Sequence, residues 1–270
     1  MKNLLKDMMR PLYHYLQNKD KRQYYHLLDR LTDSERFVKK RDVNFLDYTF
    51  DLPDAPSFIG QFKEIFLDEI YRFEPINEVP VILDCGSNIG TSLLYFGLNY
   101  PNARIVAYEA DEVIAKLSIE NLKRNGISNV TVINSAVWVN ANGIEFSQEG
   151  GDGGSINGAG NRKTVSSIRL KDVLQNEISI DLLKIDIEGA EYEVMMDCSD
   201  SLNMVENIFI EYHSWNSSAQ KLSEILEVLE RNGFRYYIDN VTNRKQPFID
   251  HARDGNMDLQ LNIFGYQTRV

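Results

Sequence analysis

Residues 181–191 read DLLKIDIEGAE, an apolar run that ends in Asp186, Glu188 and Glu191 around Gly189. Carboxylates at the tip of a buried strand can hold a hydroxyl, accept its proton or bind a cation. A second group, Glu211, Tyr212 and His213, closes the apolar run VENIFIEYH. Its imidazole titrates where base chemistry operates near neutral pH. A third feature, the turn Asp84-Cys-Gly86-Ser87-Asn88-Ile-Gly90, follows VIL and offers glycines and small polar side chains to a ligand.

Each acidic residue has a structural alternative. Asp186, at the strand tip, is the first candidate for a base or for orienting an acceptor hydroxyl. Glu211 and His213 are candidates for a catalytic or substrate role, and Glu188 is divided between function and structure. Glu191 reads as a first-turn helix acid, which the positive end of the helix dipole favours. Lys184 alternates with Asp186 and can pair with an acid on the same sheet face. Asp186, Glu188, Glu211 and His213 could together hold Mg²⁺ over a diol. The metal-free reading is favoured, and spacing alone assigns no ligand set.

These groups need a scaffold, and the chain alternates strand and helix patterns after residue 80. Strands are expected at 81–86, 104–110, 130–139, 181–189, 205–213, 234–239 and 259–267. Helices are expected at 90–99, 111–126, from 190 onward and at 219–233. Such βαβ units give an α/β fold with a mostly parallel sheet, and the last two strands, with no helix between them, an antiparallel edge. Ser57 is the expected N-cap of a helix carrying Phe62, Ile65, Phe66 and Ile70 on one face. Residues 3–31 show helical spacing broken at Pro11. The glycine-rich stretch 149–163, with Asp152 and Asn157, reads as a flap that orders on binding.

Ligands of an open parallel sheet bind beyond the carboxyl ends of its strands. The turn at 84–90 is neither the dinucleotide fingerprint, which needs glycine where Asp84 stands, nor a phosphate-binding P-loop. Asp84-x-Gly86-x-x-x-Gly90 resembles the first motif of S-adenosylmethionine-dependent methyltransferases. Asp84 would favour a cationic ligand and repel a pyrophosphate. Glu109, 23 residues after Gly86, ends the second strand, where a carboxylate can accept two ribose hydroxyls. Ala110 follows it, and Ser135-Ala136 ends the third strand where adenine is usually met.

PDAPSFIGQFKEIFLDEIYRF, VILDCGSNIGTSLLYF, RIVAYEAD, NVTVINSAVW and above all LLKIDIEGAEYEV resemble the FkbM family of methyltransferases, over about residues 52–240. The resemblance implies a Rossmann-like class I methyltransferase fold: a mostly parallel seven-stranded sheet with helices on both faces. Here an N-terminal helical extension, 1–50, would precede a domain at 51–270. It also implies S-adenosylmethionine as donor and O-methylation of a sugar, glycan or similar hydroxylated metabolite. The cofactor would contact Asp84, Gly86, Ser87, Asn88, Gly90, Glu109, Ala110, Ser135, Ala136 and Asp186. A small-metabolite hydroxyl or carboxylate is the alternative acceptor, and a non-catalytic scaffold is the alternative class.

Composition narrows the partners. A net charge of −11 argues against nucleic acid. Residues 1–41 nevertheless hold 11 Lys/Arg against 5 Asp/Glu, so this basic arm could touch an anionic membrane, dock a partner or build a homo-oligomer, although a solvated helical arm packing on the body is the favoured reading. Cys85 and Cys198 lack metal-ligand spacing and read as reduced thiols. No signal peptide or membrane-length apolar run is recognisable, so a cytoplasmic protein is expected.

Overall fold

The computed structural model describes residues 19–148, 161–241, 245–249 and 257–268. The stretch 149–160, with Asp152 and Asn157, lies outside the described residues, as does the arm up to residue 18.

A seven-stranded sheet forms the centre. Its strands are β3 (Val81–Cys85), β4 (Arg104–Glu109), β5 (Val130–Asn134), β10 (Ile180–Ile185), β11 (Val205–Trp215), β12 (Phe234–Asn240) and β13 (Met257–Gln267), in the spatial order β12-β13-β11-β10-β3-β4-β5. The five strands from β11 to β5 run parallel, and β13 inserts antiparallel between β11 and β12. The chain moves outward from β3 to β5, then returns to β10 on the other side of β3. The carboxyl ends of β3 and β10 therefore flank the point where strand order reverses, the place where such sheets leave a crevice.

β10 is buried at every position, which a central strand covered on both faces requires. Alternate residues feed two cores. Ile82, Ile105, Leu182 and Phe209 face one; Leu83, Leu183, Ile185 and Ile210 face the other. Helices α5 (Leu170–Gln175), α6 (Glu191–Asp197) and α7 (Leu222–Arg231) cover the second face. Helix α3 (Thr91–Asn99) covers the first, and α4 (Glu112–Arg124), N-capped by the Asp111 side chain on the Val113 and Ile114 amides, adds Ile114 and Leu122 to it. Short pairs β6–β9 (Ala136–Trp138 with Ser167–Arg169) and β7–β8 (Ile144–Gln148 with Asn161–Val165) lie outside the sheet.

The expected strand 130–139 is broken at Ser135. The Ala136 amide turns to the Ser166 carbonyl at 2.8 Å, so β5 stays in the sheet and β6 leaves it for β9. The N-cap also differs: α2 (Ala55–Phe62) starts after Asp54, with Pro56 in its first turn. Proline has no N–H to lose there, and Ser57 instead bonds Asp54 through its hydroxyl at 2.5 Å. A five-residue π-helical turn, Lys63–Leu67, continues α2.

Helix α1 (Lys19–Leu31) and the hairpin β1–β2 (Lys40–Phe45, Tyr48–Leu52) share the first core with α2. Phe45 meets Phe50, Phe58 and Phe62 with centroids 4.9–5.8 Å apart. Asn121 of α4 and Asn125 at its C-cap mimic a strand edge: each accepts from and donates to the backbone of β2, at Asp51 and Thr49. The expected boundary at 50/51 falls inside β2. No helix among the described residues is long and apolar enough to cross a membrane.

Candidate functional site

A cavity of about 290 Å³ opens at the reversal point. Gly86, Ser87 and Asn88 line it from the turn after β3, and Glu109 and Ala110 from the end of β4. Ser135 and Ala136 add the wall where the chain leaves the sheet. Asp186 and Glu188 enter from beyond the end of β10, and Glu211 from within β11. The turn is left-handed at Gly86 (φ +89°), Asn88 (φ +47°) and Gly90 (φ +89°).

The two glycines answer to packing within the protein. A Cβ on Gly86 would stand 1.7 Å from the Asp186 carbonyl oxygen, and one on Gly90 would stand 2.7 Å from Ser118 Oγ. Gly86 thus lets the ends of β3 and β10 close on each other, fixed by the Asp186 amide donating to the Cys85 carbonyl at 3.0 Å. Gly90 does not line the cavity; it seats α3 against α4.

Asp84 also stands behind the cavity wall. It is fully buried, accepts from Ser92 Oγ at 2.6 Å and lies 3.1 Å from Lys184 Nζ. Lys184, also buried, donates to the Gly86 carbonyl at 2.9 Å and to Asp186 Oδ2 at 3.2 Å. Its ammonium lies 5.9 Å from the Tyr71 ring centroid. Burial alone would depress the lysine; the Asp186 and Asp84 carboxylates outweigh it and hold the group well above its ordinary range. Lys184 is therefore a fixed cation tying the β3 turn to Asp186. The period-two relation of Lys184 to Asp186 was the available signal, but spacing could not reveal the shared partner Asp84.

Glu109 accepts the Asn88 amide and the Asp111 amide, both at 2.9 Å, one on each carboxylate oxygen. Burial pushes it up to about 7 against those two hydrogen bonds. Its oxygens thus organise the glycine turn at the same wall they present to a ligand.

The acidic loop behaves differently from a row of equivalent acids. Glu188 (φ +53°) and Gly189 (φ +99°) form a left-handed pair, a conformation that costs of order 1–3 kcal/mol for a non-glycine residue. Glu191 is buried and turns back, accepting from the Ile187 amide at 3.2 Å and the Gly189 amide at 3.0 Å. Its Oε1 also receives His213 Nδ1 at 3.1 Å. Glu191 does sit in the first turn of α6, but its carboxylate holds the loop and the histidine.

His213 is buried and does not line the cavity. Its Nε2 lies 3.7 Å from both Glu188 and Glu211. Burial opposes its charge, yet Glu191 and Glu188 outweigh burial and hold the imidazole well above its ordinary range. Its two ring nitrogens thus face carboxylates, which favour the charged form of the ring. Burial, then the Asp186 charge, pushes Glu211 up to about 7, and Gln260 donates to it. Donor atoms of Asp186, Glu211 and His213 all lie within 4.8 Å of one another.

A sequence profile described as "Methyltransferase FkbM domain" matches residues 84–236, more than half of the chain. The chain belongs to the FkbM methyltransferase family. Among curated relatives, "Methyltransferase sdnD" of Sordaria araneosa is 28% identical over 64% of this chain and 80% of that protein. "Methyltransferase 1" of Beauveria bassiana is 25% identical over 55% of this chain and 71% of its own length. "AMB antimetabolite synthetase AmbE" of Pseudomonas aeruginosa is 29% identical over 66% of this chain, but over only 10% of that protein.

As an FkbM-family member the chain is an S-adenosylmethionine-dependent methyltransferase, and its cavity can be tested for that cofactor. Ser87 Oγ is buried at the cavity wall without a hydrogen-bond partner, as expected of a group awaiting a polar ligand. Glu109 provides an acceptor at the end of β4, and Ser135-Ala136 closes the far side. The residues fit the group. Helix α2 and its π-helical extension add Ser57, Gln61 and Glu64 to the wall; the sequence marked Ser57 as a helix cap and none of the three as a site residue.

Proposed function

We propose that this FkbM-family protein methylates a hydroxyl of a sugar or glycan-type acceptor. The observation that carries the reading is the pair Asp186 and Glu211 in the lining of the cofactor cavity. When bound, S-adenosylmethionine supplies an electrophilic methyl group on a sulfonium. Gly86, Ser87, Asn88, Glu109, Ser135 and Ala136 would hold the cofactor. Asp186, whose charge Lys184 shares at 3.2 Å, holds the acceptor hydroxyl and aims its oxygen. Glu211, poised near 7, takes the hydroxyl proton as the new bond forms, the match of basicity to working pH that general-base catalysis favours. The His213 imidazolium keeps Glu188 and Glu191 from repelling that charge. Glu188, in its left-handed turn, borders the acceptor's approach.

A divalent cation is the rival means of orienting the hydroxyl, since Asp186, Glu211 and His213 converge. Lys184 already supplies Asp186 with a positive partner, which favours the metal-free site. Cys85 and Cys198 are buried and unpaired, as a reducing cytoplasm leaves thiols. The test is methyl transfer to a glycoside panel followed by mass spectrometry. Asp186→Asn and Glu211→Gln are expected to keep cofactor affinity by calorimetry and to lose turnover. Normal turnover in both would refute the base assignment, and abolition by a chelator would establish the metal.

A further inference from the structure

A second cleft, about 470 Å³, adjoins the cofactor cavity and shares Glu64 and Val241 with it. Two rows of the sheet reach this cleft, through Asp239 and Asn262 in one and Tyr237 and Phe264 in the other. In one row, Glu211 on β11, Asn262 on β13 and Asp239 on β12 are register partners. Two residues away on the same face, Phe209, Phe264 and Tyr237 form a second row. Residues paired in register share a sheet face, so a polar row runs beside an aromatic one.

Each row leaves a group ready for a ligand. Asn262 is 6% exposed and its Oδ1 has no hydrogen-bond partner, although the residue lines the cleft. Tyr237 is 62% exposed and lies on Phe264 with centroids 6.0 Å apart. A large exposed aromatic face beside an unsatisfied buried amide suits a ring with apolar C–H faces and hydroxyl edges.

The charge limits which ring can enter. Among the described residues lining the cleft, Lys63 is the sole cation and is paired with Asp68 at 2.5 Å. Glu64 and Asp239 add negative charge. Burial pushes the Glu64 carboxyl up; Lys63 opposes this, while Asp186, Asp68 and Asp239 add to it. A phosphate or carboxylate would enter against these groups with no unpaired cation to meet it.

We propose that this cleft is the acceptor subsite and takes a neutral or amine-bearing polyol ring in preference to a phosphorylated or carboxylated one. The inference rests on the O-methyltransferase reading and adds the acceptor's class. The ring's face lies on Tyr237 and Phe264, one hydroxyl donates to Asn262 Oδ1, and Glu64 and Asp239 accept from further hydroxyls or an ammonium. The reacting hydroxyl then points past Val241 toward Asp186.

The test uses the full chain loaded with S-adenosylhomocysteine and saturation-transfer NMR with four probes: methyl glucoside, glucosamine, glucose 6-phosphate and glucuronate. Saturation transfer is expected to the first two and not to the last two. Tyr237→Ala, at an exposed position outside the buried core, should weaken binding of methyl glucoside about five- to ten-fold. Asp239→Lys should admit glucose 6-phosphate. Equal binding of the anionic sugars, no signal from any of the four probes, or undiminished binding in both Tyr237→Ala and Asn262→Leu would overturn the assignment. Asp186→Asn should abolish turnover while leaving the preference for the neutral and amine-bearing probes over the anionic ones in place, so failure of the base assignment and failure of the subsite are separate results.

Discussion

Replacing Gly86 by alanine probes the contact on which the site depends. The added Cβ would lie 1.7 Å from the Asp186 carbonyl oxygen and 2.8 Å from its carbonyl carbon, both backbone atoms. No rotamer change relieves that clash; the end of β10 or the β3 turn must shift. The φ of +89° adds a left-handed penalty of about 1–2 kcal/mol for a residue with a Cβ, and overpacking adds about 1–3 kcal/mol. The sum is about 2–5 kcal/mol. At about 2–4 °C per kcal/mol for a chain of this size, the melting temperature should fall by about 4–20 °C. Gly126→Ala is the control, because Gly126 has φ +72° but nothing within 4 Å of the added Cβ. It should lose about 1–2 kcal/mol from strain alone. Displacing Asp186 by about 1 Å should also lower turnover about 100-fold in the fraction that folds. Thermal unfolding and single-turnover methyl transfer would be measured on all three proteins. If Gly86→Ala melts and turns over like Gly126→Ala, the close approach of β3 and β10 is not what positions Asp186.

The remaining predictions concern charge. Glu211→Gln should remove the alkaline rise in turnover, whose midpoint in the wild type is expected near pH 7; an unchanged pH profile would exclude Glu211 as base. Cofactor affinity, measured by calorimetry, should weaken as pH falls through about 7, where Glu109 protonates, and Glu109→Gln should flatten that dependence. Glu109, Glu211 and His213 all have folded values raised above their free ones. Their contributions to stability are therefore complete below the free values and are lost as pH rises through the folded ones, so the ligand-free melting temperature should drop from pH 5 to pH 8. Glu191→Gln should bring the His213 titration down toward its ordinary range by NMR; a histidine that stays charged at pH 8 would refute the pairing. Asp181→Ala removes the buried carboxylate that accepts the amides of Ile76, Asn77 and Val81 at 2.8–3.2 Å, and should cost about 1–3 kcal/mol by denaturant unfolding.

Much of the scaffold was legible because its signals are local. The alternation of β3, α3, β4 and α4 follows from apolar runs, Pro101, the Asp111 cap and Gly126, each of which acts within a turn of its own position. The DLLKID run was readable as a buried strand for the same reason. The limits of β5 and α2 were less legible: Ser135 marks a break only because the Ser166 backbone waits across space, and α2 starts after Asp54 because Pro56 can sit in its first turn.

The acidic residues mark the line between the two sources of information. Sequence by itself determined which groups reach the carboxyl edge of the sheet, since strand ends and side-chain alternation follow from residue type and spacing. It also marked the glycine turn, Glu109 and Asp186 as one ligand region. Only the tertiary structure decided what each charge does there. Asp84, chosen for a cationic cofactor, is held by Lys184 and Ser92 behind the wall. Gly86 is a glycine because a second strand's backbone touches it. His213 faces Glu188, Glu191 and Glu211, which favour its charged form, and Glu191 gave its carboxylate to the loop and that histidine. Charge state and reach depend on partners 22 to 100 residues away in the chain, and no local pattern encodes which of them will arrive within hydrogen-bonding distance.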